Sequence, residues 1–125
     1  MSRAVQTQIL RLEREHAAAF NAADVRGATK MFAPGFVGFS STRHARIRGI
    51  TALANTFTYY LERSPKMKYT IQQAKVDVHG TMAVATFYWK VSPARGGSIR
   101  GRGTHVFTRK GKAWRVVHEH YSRAH

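Results

Sequence analysis

The spacing of apolar residues changes period once along this chain, at Ser64 and Pro65, and that change constrains the fold more than any motif does. Before it, Val5, Ile9, Leu12, Ala19 and Phe20 recur at steps of three and four, which predicts an amphipathic helix over residues 3 to 23 with one buried face. His16 falls on that face. Asn21 to Asp24 interrupts the pattern, and Asp24 is suited to cap a short second helix running through Met31 and Phe32. Pro34 and Gly35 stop it. "FVGFSS" at 36 to 41 predicts a short strand, a basic irregular loop runs to Gly49, and a third helix from about Ile50 to Glu62 would bury Leu53, Phe57 and Tyr60 or Leu61.

After Ser64 and Pro65 the period is two. Ala74, Val76 and Val78 alternate with Lys75, Asp77 and His79, Gly80 offers a turn, and "MAVATFYWKV" at 82 to 91 returns as the second strand of a hairpin. A turn region at 92 to 98, a long strand around "GTHVFTR", a tight turn at 110 to 112 and a final strand from Ala113 to Ser122 complete the outline. The expected class is α+β: three N-terminal helices packed on a curved, mainly antiparallel sheet, a meander of four long strands with the early strand on an edge. With 125 residues, 43% of them hydrophobic, residues 1–125 are expected to form one unit around one core, without repeat or linker.

The absence of cysteine excludes disulfides, thiolate ligands and a cysteine nucleophile. The first twenty residues mix Arg3, Arg11 and Arg14 into their apolar positions, unlike a signal peptide or a membrane span, so a cytoplasmic protein with no membrane partner is expected. Twenty-one Lys and Arg against six Asp and Glu give a formal charge of +15, which attracts polyanions over a Debye length. The basic residues are dispersed, with small clusters at Arg43, Arg46 and Arg48, at Arg95, Arg100 and Arg102, and at Arg109, Lys110 and Lys112. "ARGGSIRGRG" at 94 to 103 interleaves arginine and glycine as RNA-binding segments do, but it lies between two strands and lacks paired aromatics. It reads as a hairpin loop, and nucleic acid is not an expected partner.

"HAAAFNAAD", "MFAPGFVGFSS", "RGITAL", "VHGTMAVATF" and above all the terminal "WRVVHEHYS" give the chain its resemblance to the SnoaL-like members of the nuclear-transport-factor-two superfamily. That superfamily also includes ketosteroid isomerase and the association domain of calcium/calmodulin-dependent kinase II. The resemblance implies a cone-shaped α+β barrel, its curved sheet wrapped around the long first helix, with an internal pocket open at one end and homodimers packed through the sheet. It also places His16 where the isomerase branch carries a tyrosine, Ser40 where it carries its base, and Thr104 where it carries an oxyanion-stabilising acid. Neither Ser40 nor Thr104 is a carboxylate, so that mechanism is not expected. The aspartate, arginine, aspartate trio of epoxide-hydrolase relatives is not expected either, since of the only two aspartates Asp24 is a helix cap and Asp77 lies on the polar parity of a strand.

On the final strand Trp114, Val116, His118, His120 and Ser122 share one face by strict alternation, and Arg115, Val117, Glu119 and Tyr121 share the other. In the resembling fold the Val116 face lines the pocket. His118 and His120 are therefore expected to point inward, toward His16, with Thr104 and Arg102 completing a polar rim and Ser40, Phe57 and Val116 lining the same hollow. Imidazoles suit acid/base work at neutral pH, which makes His118, His120 and His16 the catalytic candidates. The plainer alternatives are that His118 and His120 are hydrogen-bonded lining residues and that His16 is a satisfied core histidine. Two histidines at i and i+2 with His16 as a third are compatible with metal ligation, but no inward carboxylate joins them. Neither a metal nor a cofactor is expected. Glu119 on the outward face would pair with Arg115 or a neighbouring subunit. Three functions stay open: a pocket protein taking a small organic, anionic or carbonyl-bearing ligand, with proton transfer of the isomerase, cyclase or dehydratase type; a non-catalytic ligand-binding or homo-oligomerisation module; and a nucleic-acid binder driven by charge.

Overall fold

The computed structural model describes residues 2–92 and 97–124. Helix α1 (Ser2–Asn21) buries Ile9, Glu13, His16 and Phe20 along one stripe, the expected face with one acidic member added. Helix α2 (Val25–Thr29) is capped as expected, with the Gly27 N–H donating to Asp24 Oδ1 over 2.9 Å, but it stops before Met31 and Phe32. Phe32 instead opens strand β1 (Phe32–Phe39), which is followed by the two-residue β2 (Ile47–Arg48) and helix α3 (Gly49–Arg63). Four long strands follow: β3 (Lys68–His79), β4 (Met82–Ser92), β5 (Ile99–Lys110) and β6 (Ala113–Arg123). Part of the turn expected at 92 to 98, including Arg95, lies outside the described residues, as does His125.

The sheet has six strands in the order β2-β1-β6-β5-β4-β3. Every neighbouring pair is antiparallel except β1 and β6, which run parallel. Two expectations are corrected here. The early strand is not on the edge, because β2 pairs along its outer side. The sheet does not close into a barrel either: the two-residue β2 and the long β3 are its opposite edges and do not pair with each other. Helices fill that gap, α1 packing on β3 and α3 on β1 and β2. Among the described residues no helix is long and apolar enough to cross a membrane.

Curvature comes from irregularities in three strands: Gln73 with a positive φ of 53° in β3, the Pro34–Gly35 stretch of β1, and a bulge at Val117 of β6. On the concave side of β5, Gly101 and Gly103 lie beneath Trp89 and Phe87 of β4, and a Cβ on either would collide with those rings. The Arg–Gly alternation of "RGRG" is thus a packing pattern, in which the glycines admit aromatic rings inward while Arg100 and Arg102 stay exposed outward.

Candidate functional site

The bulge at Val117 decides which side chains meet in the interior. Phe107 pairs with Val116, but the next β5 residue, Val106, pairs with His118, so Val117 is an extra residue and the alternation of β6 slips by one. Trp114 and Val116 point inward before it, and Glu119 and Tyr121 point inward after it. The inward placement expected for His118 and His120 is therefore corrected. His118 is half-buried on the convex face, where Nδ1–H donates to the Val37 carbonyl over 2.9 Å. His120 is exposed, its ring 5.6 Å from that of Phe39. Thr104 pairs with His120 and Arg102 with Ser122, so the polar rim expected from them lies on the convex side too. Val116 is buried in the core, while His16, Ser40 and Phe57 do line a common cavity. Glu119, expected to be outward and ion-paired, is 5% exposed and faces in.

A histidine with no role in the sequence reading sits at the centre. His105 is fully buried on β5, its Nδ1 2.6 Å from Glu13 Oε2 of α1 and its Nε2 2.7 Å from Glu119 Oε1 of β6. Both ring nitrogens face carboxylate oxygens, so both carry protons and donate. Burial opposes that positive charge, but the two carboxylates outweigh it and push the His105 pKa up to about 10. The signal for this cluster was available: Glu13 lies four residues after Ile9 and three before His16, on the buried stripe of α1, and His105 shares the parity of Phe107.

Around this cluster the floor of the cavity takes shape. His16 Nδ1 lies 2.7 Å from the Ala28 carbonyl, which can only accept, so Nδ1 carries the proton. Burial and then the positive charge on His105 push its pKa below the ordinary histidine value, so the ring is neutral and Nε2 keeps its lone pair. Tyr69 and Tyr121 share a hydrogen bond between their hydroxyls, and burial holds both pKa values well above the ordinary tyrosine range. Asn21, at the end of α1, fixes Tyr69 by bonding its backbone N–H and carbonyl, each over 2.8 Å. Tyr121 stacks on Trp89 with centroids 5.9 Å apart.

The cavity has a volume of about 330 Å³ and is walled mainly by apolar side chains, among them Phe20, Leu53, Phe57 and Trp89. His16, Glu119, Tyr69 and Tyr121 give the polar floor. At the more exposed mouth, Tyr60 donates its hydroxyl proton to Ser40 over 2.8 Å, so the 2.6 Å contact with Thr42 runs from the threonine. Arg63, also at the mouth, lies over the Tyr59 ring at 4.6 Å. Among the described residues no group of three or more His, Asp or Glu side chains is arranged to hold a metal ion.

The chain matches the SnoaL-like domain family over residues 9–125 and belongs to that family. No curated protein matches it significantly. Solved structures do. A nuclear-transport-factor-two-like protein of unknown function from Pseudomonas putida is 25% identical, with a TM-score of 0.88 over 98% of this chain and 88% of its own. A member of the same superfamily from Salmonella enterica is 21% identical, with a TM-score of 0.84 over 100% of this chain and 94% of its own. A putative calcium/calmodulin-dependent protein kinase II association domain from Xanthomonas campestris is 17% identical, with a TM-score of 0.78 over 94% and 86%. At the identities of the latter two, the likeness is one of fold alone.

Proposed function

We propose that this protein binds a small organic molecule in the cavity between α1, α3 and the concave face of the sheet. The observation that carries this reading is the combination of apolar walls with a polar floor made of His16, Glu119 and the Tyr69–Tyr121 pair. Its volume, about 330 Å³, falls at the lower end of the range of about 300–1,000 Å³ common for small-molecule sites. Binding of 2-naphthol, followed by its fluorescence, tests the reading. Saturable binding is expected for the wild type, and Ile99→Trp, which fills the cavity from its half-buried wall, is expected to abolish it. Unsaturable binding, or binding unaffected by that substitution, would contradict it.

A second reading, proton transfer to or from a carbonyl-bearing ligand, is favoured by one feature of His16. Its Nε2 makes no hydrogen bond among the described residues, and the residue lines the cavity as a neutral base. The tyrosine pair, kept protonated, is available to donate to a carbonyl oxygen beside it. Deuterium uptake at the carbon next to the carbonyl of 2-tetralone in D2O, followed by NMR, is expected to run faster with the protein than in buffer and to lose that excess in His16→Phe. Equal rates with and without protein would leave binding as the whole function. The homodimer expected through the sheet stays a proposal as well, and the convex face has paired half-buried Val84 and Val106 at its centre to support it.

A further inference from the structure

The buried cluster behind the cavity floor, which reaches the cavity through Glu119, holds one carboxylate more than its imidazolium answers. His105 donates to both Glu13 and Glu119, and Glu13 Oε1 is buried with no hydrogen-bond partner among the described residues. Glu119 commits Oε1 to His105 and itself lines the cavity. Arg63 is the one cationic side chain on the described wall, and it stands exposed at the mouth against Tyr59. Buried negative charge without a cation is costly, and an entering anion would add its own charge beside it.

The other groups facing the cavity agree in sign. His16 Nε2 is an acceptor, and the tyrosine oxygens accept as well as donate. Phe20, Phe57, Trp89 and Tyr121 present aromatic surface around them, and ring faces attract cations once water is excluded. We propose that the ligand of this cavity is an organic ammonium, its N–H groups donating to Glu119 and His16, its charge answering the surplus carboxylate and its hydrocarbon part lying on the aromatic wall. This names the ligand class of the cavity reading above and rests on it. The chain thus carries opposite preferences outside and in: a surface that gathers anions, and a floor that rejects them.

Three probes sharing one ring separate the possibilities: 2-naphthylmethylamine, 2-naphthalenemethanol and 2-naphthoate, each titrated into the wild-type protein at pH 7 by calorimetry. The amine is expected to bind at least about tenfold more tightly than the alcohol, and the carboxylate most weakly. Glu119→Gln is expected to bring the amine down to the alcohol's level. If that variant does not fold, the ranking in the wild type still decides. An alcohol or a carboxylate that binds as tightly as the amine overturns the ammonium assignment while leaving the cavity as a binding site. Failure of all three to bind overturns both.

Discussion

His105 is held at both ring nitrogens, and the consequences of removing it follow from the charges left behind. His105→Ala would leave Glu13 and Glu119 facing each other in the core without their cation, a loss of about 3–5 kcal/mol for a broken buried pair, measurable as a lower urea midpoint. The pH dependence has a definite sign. The folded His105 pKa of about 10 lies above its unfolded value of 6.5, so its contribution is complete below pH 6.5 and is lost as pH rises through about 10. His16 acts on the other side: its folded pKa lies below 6.5, so the unfolded chain takes up a proton that the native state refuses, and stability falls as pH drops below 6.5. Urea midpoints measured across pH are therefore expected to peak near 6.5 and decline toward 10. A midpoint that stays flat or rises between 6.5 and 10 would count against the doubly protonated His105.

Among the elements, close packing separates substitutions that look alike in sequence. Gly101→Ala places its Cβ against the backbone carbonyl of Ser122 as well as the Trp89 ring, whereas the nearest atoms to the Cβ of Gly103→Ala all belong to the Phe87 side chain. Overpacking costs about 1–3 kcal/mol, and Gly101→Ala is expected to lie at or above the top of that range with Gly103→Ala below it, by thermal or urea unfolding. The elements also show how far the sequence could be read. Periodicity locates all three helices and the long strands, because the buried stripe of α1 and the alternation of Ala74, Val76 and Val78 in β3 are each properties of a single segment. The open sheet is not legible in the sequence because one of its edges is β2, two residues with no periodic signal. Strict alternation misplaces His118 and His120 because the bulge at Val117 shifts the parity of β6 by one. The adjacent apolar pair Val116–Val117, with Tyr121 on the opposite parity to Trp114, was its only trace in the sequence. Periodicity does not single out Glu13 and His105, because a pattern of apolar positions has no slot for polar groups that satisfy one another across 92 residues of chain.

The charge of the whole molecule is more lopsided at its surface than in its composition. Of six acidic residues, Glu13 and Glu119 are buried with His105, so the +15 imbalance is carried by an outside that is poorer still in carboxylates. Nucleic-acid affinity driven by that charge alone is expected to be indifferent to sequence and to vanish near physiological salt in a fluorescence-anisotropy titration. Affinity that persists there would require a dedicated interface. The function proposed here resides in the hollow instead, and a crystal structure of the protein with the tightest of the three naphthalene probes tests it most directly. The ring is expected to lodge between Phe57 and Trp89 with its polar tip at Glu119. Density for the probe on the convex face beside His118 and His120, with the hollow left unfilled, would contradict it.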